Sequence, residues 1–178
     1  MDITYLGGHS FVLKGEHTIA INPPAGSPRS DITLHSKRQA RSKEIVNGPG
    51  EYEIRGSLIV TLELGPCDAT TLIHAVEVGG LAVVHLGPTV RDLSERAISD
   101  LGRVDILLVN ADDLRAAQAA VTDLSPRLII PYGAHAGELC AALGVKDPQP
   151  QARLVWNGLT PQLKVVLLKT AGTKRRAA

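Results

Sequence analysis

The sequence predicts an α+β fold in which two sheets pack face to face with helices on their outer faces, a four-layer αββα sandwich. Two observations predict it. The first half reads as short strands separated by Gly and Pro, and the second half alternates strands with helices. Aromatic residues form only 3% of a chain that is 44% hydrophobic, so Val, Leu, Ile and Ala must build the core.

Short apolar runs bounded by turn residues predict the strands of the first half. These runs are residues 3–6, 10–13, 18–21, 31–34, 57–64, 71–78 and 81–86. Gly79 and Gly80 separate the last two runs, and glycine readily adopts the positive φ of a two-residue hairpin turn. The strands of residues 57–86 should therefore pair antiparallel.

A helical period appears after Pro88. Leu93, Ala97, Ile98 and Leu101 predict one amphipathic helix that ends at Gly102. The remaining predicted elements are strand 104–109, helix 114–124, strand 128–130 ended by Pro131, helix 138–143 ended by Gly144, and strand 163–168.

Length and charge limit the class of protein. The 178 residues suit one domain, residues 1–168, followed by a basic flexible tail at residues 169–178. Nineteen basic and eighteen acidic residues give a net charge of +1, which offers no footprint for nucleic acid. Cys67 and Cys140 are distant in sequence, and neither a secretory segment nor a membrane-spanning run is visible. We expect a cytoplasmic protein with two free thiols.

A series of short motifs points to a family. The most specific is Gly-Pro-Gly-Glu-Tyr-Glu-Ile at residues 48–54, which we expect to be a structural turn tied down by Glu51 and Tyr52. Ile-Asn-Pro at 21–23, His-Leu-Gly at 85–87 and Ile-Ile-Pro at 129–131 occur in the same order. Together they resemble the metallo-β-lactamase superfamily, in its branch of small bacterial zinc-dependent hydrolases and ascorbate-phosphate-lactonase-like enzymes.

The resemblance covers nearly the whole chain. It implies the αββα sandwich and a metal site built from loops at one edge, where a bridging water is activated for hydrolysis. The family carries His-x-His-x-Asp-His after the strand at residues 31–34, and an aspartate or histidine at three further places.

This chain departs from the family at each of those places. The residues at the ligand positions are Asn22, Lys37, Gln39, Arg41, Ser42, Pro88 and Gly133. Lysine has no lone pair at neutral pH, arginine does not deprotonate, and glutamine and serine are weak zinc ligands. The sequence therefore predicts a degenerate member of the superfamily that has lost its metal site and carries no cofactor.

The substitutions also reverse the local charge. Carboxylates that would balance a dication are absent, and Lys37, Arg38 and Arg41 add positive charge to the same loop. This loop could bind a phosphate or carboxylate, with Tyr132 closing the pocket. Alternatively it is an ordinary solvated loop, and Tyr132 caps the sheet.

Histidines leave one alternative open. His9, His35, His85 and His135 fall near the expected cleft, and three imidazoles can bind zinc, so a displaced site for zinc or manganese would make the chain a metal-dependent hydrolase. A serine nucleophile has little support because no Gly-x-Ser-x-Gly segment occurs.

Our preferred hypothesis is a pseudoenzyme, which binds a partner protein or an anionic ligand through the remodelled cleft. By analogy, it would form a homodimer or pair with an intact paralogue.

Overall fold

The computed structural model describes residues 1–37, 45–64, 71–88, 92–156 and 162–171. Two sheets and three helices form within these ranges. The strands are β1 (Asp2–Gly7), β2 (Ser10–Lys14), β3 (Thr18–Ile21), β4 (Ile32–Leu34), β5 (Ile45–Val46), β6 (Gly50–Ile54), β7 (Ser57–Leu64), β8 (Thr71–Val78), β9 (Leu81–His85), β10 (Ile106–Asn110), β11 (Leu128–Tyr132), β12 (Leu154–Val155) and β13 (Lys164–Val165). The helices are α1 (Glu95–Leu101), α2 (Leu114–Leu124) and α3 (Ala136–Ala142).

The two sheets are mixed. The first has the order β12-β1-β2-β3-β4-β5, with β1, β2 and β3 antiparallel and β3, β4 and β5 parallel. The second has the order β13-β11-β10-β9-β8-β7-β6, antiparallel from β6 to β9 and parallel from β9 to β13. The predicted pairing of residues 57–86 is confirmed, with Gly79 and Gly80 at positive φ in the β8–β9 hairpin.

Two apolar clusters define the layers. One lies between the sheets, where Phe11 and Ile21 of the first sheet meet Ile106 and Ile130 of the second. The other lies on the far face of the second sheet, where the helices contribute Leu101, Ala117 and Leu139. The predicted sandwich of two sheets is confirmed, and the helices of the described ranges all cover the seven-stranded sheet.

Pro131 does not end its strand, so that prediction is wrong. β11 continues to Tyr132, with Val109 opposite Pro131. Alternate residues of a strand direct their backbone groups to opposite sides, and the carbonyl of Ile129 faces β13, where it accepts from Val166. The nitrogen of Pro131 points the same way, beyond the last residue pair of β11 with β13. Its missing N–H therefore interrupts no pairing.

The turn that we predicted over residues 48–54 is wrong for its last five residues. Residues 50–54 form β6, which pairs antiparallel with β7. Tyr52 does tie the preceding turn down, because its hydroxyl donates to the carbonyl of Gly48 at 2.9 Å. Glu51 is exposed.

Helix boundaries follow capping residues. α1 begins after Ser94, whose side chain accepts from the N–H of Ala97, and it ends at Gly102 with φ of 63°. α2 has the predicted bounds and is capped by Asp113. None of the described helices is long and apolar enough to span a membrane.

The thiol and tail predictions are only partly covered. Cys140 is free and buried, whereas Cys67 lies outside the described residues. In the predicted tail, Lys169 donates its N–H to Gln151 and Ala171 donates to Tyr5, and residues 172–178 are outside the described ranges.

Candidate functional site

Loops from both sheets meet in a cleft of about 320 Å³. Its lining residues are His9, Ser10, Asn22, Pro23, His35, Ser36, Lys37 and Pro88. Five of the sequence-predicted positions therefore come together here, namely His9, Asn22, His35, Lys37 and Pro88. Gln39, Arg41, Ser42 and Arg38 lie outside the described residues.

Asn22 joins three loops of this cleft. Its amide nitrogen donates to the backbone carbonyl of His9 at 3.2 Å and to the hydroxyl of Ser36 at 2.9 Å, and its amide oxygen accepts from the N–H of Ser36 at 2.7 Å. An aspartate could accept from Ser36 but could not donate to His9. The network therefore requires the amide at this position.

Gly133 has no room for a side chain. It has φ of 97°, and an added Cβ would collide with the amide oxygen of Asn110 and lie 2.5 Å from a carboxylate oxygen of Asp112. Side-chain oxygens of Asn110 and Asp112 thus occupy the space of a Cβ at residue 133.

Asp112 and Asn110 are site residues that the sequence reasoning missed. The carboxylate of Asp112 accepts from the N–H of Ala134 at 2.7 Å and from the amide of Asn110 at 3.1 Å. These two donors, helped by His9 and His135, lower the pKa of Asp112. The available signal was Asn110 directly after the apolar residues 106–109, with Asp112 two positions later.

His85 is held beneath the cleft by Tyr132. The Tyr132 hydroxyl donates to the carbonyl of Gly87 at 2.8 Å and lies 3.1 Å from His85 Nε2, while the Gly87 N–H donates to His85 Nδ1 at 3.2 Å. This pattern assigns the proton to Nε2 and engages both ring nitrogens. Burial lowers the pKa of His85 well below its ordinary value. Tyr132 is itself buried, so it packs under the site rather than closing it.

The other histidines differ in what they contact. His135 is exposed and its Nδ1 lies 2.7 Å from Glu138, which raises the pKa of the imidazole. His35 lines the cleft, where burial lowers its pKa. His9 Nδ1 is buried, and no described residue hydrogen-bonds to it. Burial lowers the pKa of His9, Asp112 opposes this shift, and Lys37 adds to it.

A family model described as a beta-lactamase superfamily domain matches residues 2–133. The chain belongs to the beta-lactamase superfamily. The resemblance indicated by the motifs is thereby confirmed. No curated protein sequence matches this chain.

Two solved structures share the fold of this chain. A candidate zinc-dependent hydrolase of the metallo-β-lactamase superfamily from Thermotoga maritima aligns with a TM-score of 0.82 and 21% identity, over 94% of this chain and 97% of that one. CmlA, a diiron β-hydroxylase from Streptomyces venezuelae, aligns with a TM-score of 0.60 and 11% identity, over 94% of this chain and 53% of that one.

The superfamily implies a metal centre at this cleft, and the described residues do not fit one. The amide of Asn22 is fully hydrogen bonded, Pro88 has no donor atom on its side chain, and Gly133 has no space for one. Lys37 is a cation. Within the described ranges, no three His, Cys, Asp or Glu residues are grouped so that they could hold a metal ion.

We expect Asn22→Asp to destabilise the fold by roughly 1–3 kcal/mol, because the His9 carbonyl would lose its donor and face a carboxylate. Urea unfolding at pH 7 measures the change. Gln118→Glu, the same chemical change on the exposed face of α2, is the matched control and should change stability by less than about 0.5 kcal/mol. Equal stability of Asn22→Asp and wild type would contradict the role given to the amide.

His74 predicts an acid-sensitive fold. It is buried next to Thr61, and burial lowers its pKa to about 4. Between about pH 6.5 and 4 the unfolded chain therefore takes up a proton that the folded chain does not, so this histidine removes about 3 kcal/mol of stability as the pH falls.

Urea midpoints measured across that pH range test the prediction. His74→Leu should flatten the pH dependence, whereas His17→Gln, at a half-buried turn position, should leave it unchanged. The same slope in His74→Leu and wild type would show that the histidine titrates normally.

Proposed function

We propose that this protein is a non-catalytic member of the superfamily whose remodelled cleft binds an anionic ligand, either free or carried on a partner protein. One observation carries the proposal: residues at positions where metal ligands are expected make other contacts instead. Asn22 uses its amide to join three loops, and Gly133 leaves its space to Asn110 and Asp112. Restoring a metal site would require breaking these contacts.

The charge of the cleft supports an anion as the ligand. Among its described lining residues are Lys37, two histidines, two hydroxyls and an amide, with no carboxylate. The carboxylate of Asp112, which raises the pKa of His9, lies outside this lining. In the sequence, Arg38 and Arg41 extend the positive charge that begins at Lys37. A volume of about 320 Å³ accommodates a small phosphate or carboxylate group.

Inorganic phosphate should raise the melting temperature of the protein. A concentration of about 100 times Kd would add about 2.7 kcal/mol of stability. Lys37→Glu should remove most of this effect, because the cleft loses its described cation. Lys146→Glu, the same reversal at an exposed position outside the cleft, should retain it. No response to phosphate or to small carboxylates such as acetate and citrate, or an equal loss in both variants, would contradict the proposal.

The second candidate is a metal-dependent hydrolase with a displaced site, and His9 is the observation in its favour. Its Nδ1 is buried and bonds to no residue in the described ranges, and burial lowers its pKa while the Asp112 carboxylate opposes that shift. Both groups can bind a metal once deprotonated.

Metal analysis distinguishes the two candidates. Protein purified with zinc or manganese supplied should, on our proposal, hold less than stoichiometric metal and show no metal-dependent thermal shift. Stoichiometric metal that is lost in His9→Gln, with the fold intact by circular dichroism, would favour the hydrolase. His17→Gln serves as the matched histidine control.

A further inference from the structure

A second concave surface lies away from the cleft, on the helix-covered side of the seven-stranded sheet. It is a groove of about 560 Å³ between β7 and α1. Val60, Leu62 and Leu64 form its floor, and each is only partly buried against the helix-side cluster. Leu58 lies on the same face of β7, just beyond the residues that line the groove, and is 50% exposed. This face of β7, next to the edge strand β6, therefore presents an aliphatic stripe.

Carboxylates border this stripe. In the β6–β7 register, Glu51 lies opposite Val60 and Glu53 lies opposite Leu58, so both glutamates share the face of the aliphatic residues. Both are exposed. On the α1 side, the charge of Arg96 is offset by Asp100 at 3.7 Å. The groove thus combines an apolar floor with an acidic border on β6, where Glu51 lines the groove and Glu53 extends the border beyond it.

The charge of the border selects the kind of occupant. Carboxylates repel the phosphates of nucleic acid and of acidic lipid surfaces. A second copy docked through the same face would bring two sets of glutamates together, which opposes a symmetric dimer. A basic segment with interspersed aliphatic side chains matches both the floor and the border.

We propose that the groove between β7 and α1 is a docking site for a basic, extended segment of a partner protein. Aliphatic side chains of the segment pack on Leu58 and Val60, and its Lys or Arg residues pair with Glu51 and Glu53. This surface is separate from the anion cleft, so the proposal does not rest on the proposed function.

A labelled peptide that alternates Arg and Val is the probe, with fluorescence anisotropy as the measurement. It should bind the wild-type protein, more weakly as salt is raised, because exposed charge pairs are screened. A peptide that alternates Glu and Val should not bind. The double variant Glu51→Lys, Glu53→Lys should weaken binding by roughly tenfold or more. Leu58→Ser should weaken it too, which a purely electrostatic contact would not predict.

The matched control is Glu16→Lys, Glu77→Lys, which makes the same net charge change at exposed positions outside the groove lining. It should bind the Arg peptide with nearly wild-type affinity. Circular dichroism checks that every variant folds. Absence of binding to the wild type, equal weakening in the control, or equal binding of the Glu peptide would overturn the proposal.

Discussion

The cleft depends on one side chain that both donates and accepts. The amide of Asn22 satisfies the His9 carbonyl and two polar atoms of Ser36, and so holds three loops together. The residue has φ of 47°, a left-handed conformation that asparagine tolerates better than most residues. A carboxylate could bind a metal but could not donate these bonds. Residue 22 therefore cannot bind a metal through a carboxylate and also join these loops through an amide.

Beneath the hydrogen bonds of Asn22, the contact between Tyr132 and His85 is uncharged and its polar atoms are hydrogen bonded. The Tyr132 hydroxyl contacts Nε2 of His85 and donates to the carbonyl of Gly87, whose N–H donates to Nδ1 of the same ring. Burial keeps that imidazole uncharged at neutral pH. Asp112 is charged, but its oxygens accept from Ala134 and Asn110. Positive charge in the described part of the cleft consequently comes from Lys37 at its rim. An anion bound there would pair with an exposed charge, so its affinity would fall as salt is raised.

Elements bounded by clear turn or capping residues could be predicted from the sequence, whereas β5, β6 and β12 could not. β7, β8 and α2 have the predicted bounds because their flanking turns and caps carry local signals. β5 and β12 are two residues long and are defined by pairing with neighbouring strands. That pairing is not visible in a short stretch of sequence. In the site, ordered motifs predicted the positions of Asn22 and Pro88, which the structure brings together in the cleft. The roles of Asp112 and Tyr132 depend on which loops meet in space, so they had no comparable signal.

Net charge is a poor guide to the surfaces of this chain. A formal charge of +1 argues against a general electrostatic footprint, yet the structure places Lys37 at the cleft and Glu51 and Glu53 beside an aliphatic groove. Exposed charges act over about 10 Å at ordinary salt, so distant opposite charges do not cancel for a ligand that touches only one of them. Two surfaces of opposite sign can thus recognise ligands of opposite sign on one nearly neutral protein. Because salt screens the charges of each surface from the other, the two surfaces can bind independently without conformational coupling.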